Sequence, residues 1–219
     1  YSDLSYQVTR FMVAKLGLKR IGYLYQNDDL GEVGRIGVDR ALKELGVELK
    51  AAVGYERGTS DFTTQVLKLR DANVDAVVSI GTAPSVATAI KQARQQNFKT
   101  TWGSYGVGGS AIMRKLLGGE INGLVFASDI ESFFAESDAA KRATAVVQKY
   151  FPNAKAEFTM FMGYAQAQMV VHVLRAAGKD LTRAKLVEAL QNMGAFDSDV
   201  MPMSYSNTKH TAASAVKIY

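Results

Sequence analysis

The sequence predicts an α/β protein: a doubly wound, five-stranded parallel sheet with helices on both faces, followed by helices and a strand that read as part of another domain. Three observations predict it. Between Arg20 and Ser128, apolar runs alternate with amphipathic segments five times. Each run closes on small, polar or aromatic residues that can face a ligand. One helix-length segment joins each run to the next, so the strands should lie parallel, with right-handed crossovers and their C-terminal ends on one edge.

Asp3–Leu16 leads in, with Leu4, Val8, Phe11, Met12 and Leu16 near a helical period and Gly17 as a stop. The strands are read at Arg20–Gln26, Val47–Tyr55, Ala76–Ile80, Thr100–Tyr105 and Gly123–Ser128. Between the first two, Gly31–Leu45 sets Val33, Ile36, Ala41, Leu42 and Leu45 in a stripe that Gly46 ends. The next helix starts at the capping pair Ser60–Asp61 and carries Phe62, Val66, Leu67 and Leu69. Another follows Thr82–Ala83–Pro84, running from Ser85 to Asn97 with Pro84 just ahead of its first turn. Ser110–Leu117, closed by Gly118–Gly119, completes the series. The loops Asn27–Gly31, Gly81–Ser85, Ser104–Ser110 and Asp129–Ser132 then share the ligand-bearing edge. Three of them run into helix N-termini, whose N–H groups favour acceptor atoms.

After Asp129 the alternation stops. Asp138–Phe151, Thr159–Ala177 and Thr182–Met193 read as helices, and Ser214–Tyr219 as a strand, with no second sheet to receive them. Phe161–Leu174 is apolar on nearly every face, so something else must cover it.

Composition limits the function classes. The 219 residues are 47% hydrophobic and 21% charged, and the formal charge of +5 is spread singly rather than in the blocks that mark a nucleic-acid or membrane arm. No apolar stretch approaches the roughly 20 residues that span a bilayer, and YSDLSYQVTR has no signal-peptide pattern, so the chain is expected to be soluble as given or a processed product. With no cysteine, thiolate nucleophiles, disulfides and thiolate metal sites are excluded. His172, on a helix, and His210, in a turn, lack any metal-ligand spacing and read as packing or surface residues.

Enzyme motifs are weak. Gly106–Ala111 satisfies the permissive GxGxxA pattern with Asp129 at the end of the next strand, but such a fingerprint belongs after the first strand of a nucleotide-binding unit. Asp28–Asp29 suggests a receiver-type phosphoacceptor, yet the third strand ends in Gly81–Thr82 and the fifth lacks a lysine. No GxSxG elbow is present. The reading is no catalysis and no cofactor.

Four phrases in order, LGLKRIGYLYQNDDLGEVGRIGVDRALKELGVEL, YERGTSDFTTQVLKLRDANVDAVVSIG, AIKQARQQNFKTTWGSYGVGG and GYAQAQMVVHVLRAAGKDLTRAKLVEAL, resemble the type 1 periplasmic solute-binding proteins of branched-chain amino-acid ABC transporters. The resemblance implies two lobes closing over a solute and three chain crossings between them. It divides this chain into a crossover and leading helix (1–18), a complete lobe two (19–130) and the returning helices and terminal strand of lobe one (131–219), the first half of lobe one being absent. It implies a periplasmic or lipoprotein location, an inner-membrane ABC permease as partner, a small organic solute, whether an amino acid or an aromatic or aliphatic acid, and no nucleic acid. The same fold also serves as the ligand-sensing domain of amide-type regulators and receptors.

The family's lobe-two contacts carry over to Leu30, to Thr82 or Ala83, and to Tyr105, where amino-acid binders place a tyrosine, another aromatic and an ammonium-binding acid. All three depart from that pattern. A buried ammonium without a carboxylate is costly, so Leu30 and Tyr105 suit an acid without an amine. Asp28, Asp29 and Asp129, each at a strand end, could take an amine instead; Asp28 and Asp29 also read as a solvated turn that starts a helix. Tyr105, between glycine-rich neighbours, is expected to stack on the solute and hydrogen-bond to it, and Trp102 to pack.

Overall fold

The computed structural model describes residues 1–106, 110–131, 137–211, 213 and 215–219. The chain divides into two compact units, 1–128 with 218–219, and 129–217.

In the first unit β1 (Ile21–Gln26), β2 (Leu49–Tyr55), β3 (Ala76–Ile80), β4 (Thr101–Tyr105) and β5 (Val125–Ser128) alternate with α2 (Asp29–Leu45), α3 (Thr63–Asp71), α4 (Ala83–Gln95) and α5 (Ala111–Leu117), and α1 (Ser2–Ala14) precedes them. The sheet order is β2-β1-β3-β4-β5, with β8 (Lys217–Ile218) added outside β5. Every pairing among β1 to β5 is parallel, as the alternation predicts. The order reverses at β1, which lies between β2 and β3, so the crevice of the doubly wound sheet opens at the C-terminal ends of β1 and β3.

Strand β3 is buried along its whole length, as the unbroken run AVVSI requires of a strand covered on both faces. On one face Leu24, Val53, Val77 and Trp102 pack with Phe62, just ahead of α3, and with Val66, Leu69, Val86, Ile90 and Met113 from α3, α4 and α5. Trp102 is thus a packing residue. The other face is covered by α1 and α2, which approach closely at Gly37: a Cβ there would lie 1.9 Å from the Ser2 carbonyl oxygen. Only glycine lets the two helix backbones meet at that distance.

Helix starts follow the capping residues, with two shifts from the sequence reading. Asp28 caps α2 by accepting from the Leu30 N–H at 3.1 Å, and Ser110 caps α5 through Met113 at 3.1 Å. Helix α3 begins after Phe62 instead of Asp61, whose carboxylate still accepts from the Thr63 N–H at 2.9 Å. Pro84 lies inside the first turn of α4 rather than ahead of it; it has no N–H to lose there.

The second unit contains α6 (Asp138–Tyr150), α7 (Phe158–Ala177), α8 (Arg183–Gln191) and an antiparallel hairpin of β6 (Gly194–Asp197) and β7 (Pro202–Tyr205). Ser137 and Thr182 cap α6 and α8 through the N–H groups of Ala140 and Lys185. Phe161 and Ala165 of α7 pack with Ile130, Ala140, Ala143, Val200, Met201 and Met203. The opposite side of α7 is open, with Val170 48% and Val171 46% exposed, the side the sequence leaves without a partner.

Two features differ from the sequence reading. The hairpin β6–β7 was not anticipated, because GAFDSDVMPMSY holds no clean alternation and its turn depends on a left-handed Asp199 (φ 65°). The terminal strand, expected with the returning segment of lobe one, instead lies on the edge of the main sheet, where Phe126 and Tyr219 exchange both backbone hydrogen bonds at 3.0 and 2.9 Å. That reciprocal exchange is the antiparallel pattern, and the two rings stack at 5.2 Å.

Candidate functional site

The site grows from the crevice between β1 and β3. Strand β1 ends at Gln26, and two residues later Asp28 starts α2. The Asp28 carboxylate accepts from Gln26 Nε2 at 2.5 Å, from the Leu30 N–H, and from the Arg57 guanidinium at 2.8 Å. Arg57 first, and Gln26 second, hold the Asp28 carboxyl below the usual carboxylate range. A depressed native pKa gives stability that is complete above the unfolded value of about 3.9 and is lost as pH falls through the lower native value. Melting temperatures followed from about pH 6 down to about pH 2.5 should therefore fall less steeply in Asp28→Asn than in the parent; parallel curves would show that Asp28 contributes nothing to the acid limb.

Across the crevice, β3 ends at Ile80 and the chain turns through Gly81 and Thr82 into α4. Two tyrosines fix this turn. Tyr105, at the end of β4, donates its hydroxyl to the Gly81 carbonyl at 2.9 Å. Tyr55, at the end of β2, lies over the Cα of Gly81, where an added Cβ would be 1.7 Å from its hydroxyl oxygen. Both phenols are buried, and burial pushes the pKa of Tyr55 up to about 12 and that of Tyr105 higher. They stay protonated at any physiological pH. The Thr82 and Ser85 hydroxyls are 3.0 Å apart. Two buried atoms here have no hydrogen-bond partner of good geometry, Gln26 Oε1 and the Tyr55 hydroxyl; the Ser85 hydroxyl is nonetheless near enough to Tyr55 to moderate its pKa rise.

The residues expected from the sequence occupy different parts of this edge. Leu30 is half-buried in the first turn of α2, Thr82 is exposed, and Ala83 is buried as the first residue of α4. Thr82 and Tyr105 are brought together through Gly81. Tyr105 is 6% exposed with its hydroxyl spent on Gly81. The phenol supports the turn, and its ring lies edge-on to Tyr1 at 5.2 Å. Asp28 is engaged in capping, as its turn reading implies, and Asp29 is exposed. Asp129, half-buried, begins the second unit, and burial raises its carboxyl pKa. Of the glycine pattern Gly106–Ala111, positions 107–109 lie outside the described residues, as does 132 in the Asp129–Ser132 loop.

Sequence reasoning missed Gln26 and Tyr55. The signal was the pairing of strand ends, since Gln26 and Tyr55 are register partners across β1 and β2, and register is not readable from one strand alone. Both histidines are exposed, His172 lying against the Phe196 ring at 4.6 Å. Among the described residues no group of three or more His, Asp or Glu is placed to hold a metal ion, and no helix is long and apolar enough to cross a membrane. What the crevice can do is present hydroxyls and helix-start N–H groups to a solute.

A family model described as "Periplasmic binding protein" matches residues 1–219. The Leu/Ile/Val-binding protein of Citrobacter freundii is 29% identical over 99 residues, 45% of this chain and 27% of that protein. Among solved structures, a branched-chain amino acid ABC transporter protein from Thermus thermophilus with bound valine superposes with a TM-score of 0.88 at 19% identity, over 100% of this chain and 61% of that one. A substrate-binding periplasmic protein from Ralstonia solanacearum gives 0.85 at 22% identity, covering 100% and 63%. A solute-binding protein from R. palustris in complex with benzoate gives 0.84 at 14% identity, covering 99% and 59%. The chain thus spans less than two thirds of the length of each of these relatives, and the structural likenesses speak to fold alone.

Proposed function

This chain belongs to the periplasmic binding protein family, and on that premise we propose that it is the larger part of the extracytoplasmic solute-binding component of an ABC transporter. Its first unit is one jaw of a clamshell, and the helices of the second unit belong to the other jaw, whose opening half lies outside this sequence. The whole protein captures a small organic solute between the jaws and presents the closed form to an inner-membrane permease, so it works in the periplasm or as an extracytoplasmic lipoprotein. Closure follows from contacts that exist only when both jaws hold the solute.

The observation that carries this reading is the β1–β3 crevice, a sheet edge lined with hydroxyls and helix starts and, among the described residues, without a nucleophile and base pair. Leu30 and Thr82 are the side chains there that remain open to a solute, and Asp129 is kept as a candidate for an amine. Of the two carboxylates in the β1–α2 turn, Asp28 is already paired with Arg57 and Asp29 stands exposed in the first turn of α2. We therefore favour an aromatic or aliphatic acid without an α-ammonium over a branched-chain amino acid.

A thermal-shift screen of the full-length protein against amino acids, aromatic acids, aliphatic acids, amides and urea tests this. Ligand at about 100 times its Kd stabilises by about 2.7 kcal/mol, enough to rank the panel. The largest shift is expected from an amine-free acid. A largest shift from leucine, isoleucine or valine would overturn the solute assignment, and no shift from any compound would count against the function itself.

A further inference from the structure

The edge of the first unit opposite the crevice is basic. Arg20 and Asp75 stand just ahead of β1 and β3, and Lys99 shortly ahead of β4, three strands that are neighbours in the sheet. Beneath their starts runs an open groove of about 610 Å³, walled also by Arg70, Asn73 and Asn97. Two short links of one design shape it. Helices α3 and α4 each run out into an asparagine in the left-handed region, Asn73 at φ 54° and Asn97 at φ 56°, whose N–H groups bond back to the Arg70 and Arg94 carbonyls at 2.8 and 2.9 Å. Asparagine takes that conformation more readily than other residues with a side chain. It turns the chain into the next strand, and both asparagines stand exposed beside the groove.

Around the groove Lys19, Arg20, Arg70 and Lys99 face two carboxylates, Asp71 and Asp75. Asp75 is already spent. It accepts from the backbone N–H groups of Lys19 and Arg20 at 3.3 and 3.0 Å and pairs with the Arg20 guanidinium at 3.5 Å, whose Nε donates to the Asn73 carbonyl at 2.6 Å. Asp71 is 73% exposed and 3.7 Å from Arg70, a geometry in which an ion pair contributes little. Helix ends do not account for the cations that remain. A cation in the last turn complements the helix dipole, and α3 has Lys68 and Arg70 there, α4 Arg94. Lys99 lies beyond α4, where the carbonyls of Ala93 and Arg94 already accept from Phe98 and Asn97. It is exposed and, among the described residues, has no ion-pair partner.

We infer that this groove is an oxyanion site for a phosphate group, with Arg70 and Lys99 supplying the charge and the carboxamides of Asn73 and Asn97 supplying neutral donors. A guanidinium fork matches phosphate oxygens two at a time, and an ammonium adds a point charge beside it. A phosphate, with more acceptor oxygens than a carboxylate, draws on more of these groups at once. The groove lies at the opposite ends of the strands from Leu30 and Thr82, so the site is independent of the solute that the crevice takes. The same group reaches the protein as a free phosphate ester or as a phospholipid headgroup.

Amide NMR titration of the full-length protein at low ionic strength with inorganic phosphate, glycerol 3-phosphate and acetate tests the site. Both phosphates are expected to shift Asn73 and Lys99 saturably, to leave Leu30 and Thr82 unmoved, and to bind more tightly than acetate. Lys99→Gln and Arg70→Gln should each weaken phosphate about tenfold, the size of one charge-assisted hydrogen bond, without moving the melting temperature. Lys141→Gln, which removes one exposed charge from the second unit, should change nothing. Co-sedimentation with phosphatidylglycerol vesicles, absent with phosphatidylcholine alone and lost in Lys99→Gln, would assign the headgroup as the source; phosphate binding without such sedimentation would assign the free ester. Acetate binding as tightly as phosphate, or Lys141→Gln weakening phosphate as much as Lys99→Gln, would overturn the site by reducing it to net charge. Binding of neither soluble phosphate nor vesicles would also overturn it, and either failure would leave the solute-binding reading standing.

Discussion

Replacing Gly81 by alanine is expected to destabilise the protein by about 1–3 kcal/mol or more, and adding Tyr55→Phe is expected to recover most of that loss. The new methyl group would be 1.7 Å from the Tyr55 hydroxyl oxygen, far inside contact distance, and 3.0 Å from the ring carbon that carries it. The Tyr55 ring has little room to retreat, because it packs edge-on against Phe62 at 4.9 Å in the core between the sheet and α3. The β3–α4 turn is likewise held from its other side by Tyr105. Removing the hydroxyl oxygen relieves the severe overlap and leaves the ring carbon at 3.0 Å, so the ring must still give by a few tenths of an ångström. Tyr55→Phe by itself should change stability by less than about 1 kcal/mol, since the oxygen it removes makes no well-formed hydrogen bond. Chemical denaturation of the four variants closes a double-mutant cycle. A Gly81→Ala cost that is the same with Tyr and with Phe at position 55 would show that the two residues do not meet.

The same contact shows which parts of the fold and site could be read in advance. Local pattern decides where the helices start and stop, Asp28 or Ser110 at the start and a glycine after α2 and α5, but only part of the α2 face: Ala41 and Leu42 are buried as expected, while Val33 and Ile36 of the expected stripe stand exposed and Gly34, Gly37 and Val38 are buried in their place. It also decides β3, whose five consecutive residues are all buried. The C-terminal edge and the candidate Thr82 follow from the alternation and the family resemblance together. Long-range pairing decides the rest. Tyr105 sits at the expected strand end, but the direction of its hydroxyl depends on the Gly81 carbonyl, 24 residues away in sequence. Tyr55 becomes part of the site only because β2 pairs with β1 and its side chain crosses to Gly81. The terminal strand is read correctly as a strand and placed with the wrong partner, because a short apolar run such as VKIY fits the edge of either sheet. The β6–β7 turn depends on a non-glycine residue in the left-handed region, which composition alone does not announce.

In the second unit, Phe161→Ala should cost about 3–5 kcal/mol, while Val171→Ala on the same helix should cost less than about 0.5 kcal/mol. Phe161 is fully buried among Ile130, Ala165, Val200 and Met203, and the space it leaves can collapse only by moving α6 and the hairpin. Val171 is 46% exposed beside Val146 on an open groove of about 560 Å³ that also includes Tyr164, His172 and Phe196. Surface truncation there removes little area from contact. The contrast should change when the protein is extended to the length of its relatives, if the opening half of the jaw covers this side of α7 as proposed. Val171 would then be buried, and its truncation would remove two methyl-sized groups from contact, worth about 1.6 kcal/mol before any cavity cost. Val170→Ala should respond in the same sense, while Phe161→Ala should cost the same at either length. Denaturation of the three variants at both lengths measures the difference. A Val171→Ala cost that remains near zero in the longer protein would mean that α7 keeps an exposed apolar face, and the second unit would not be part of a jaw completed by the missing segment.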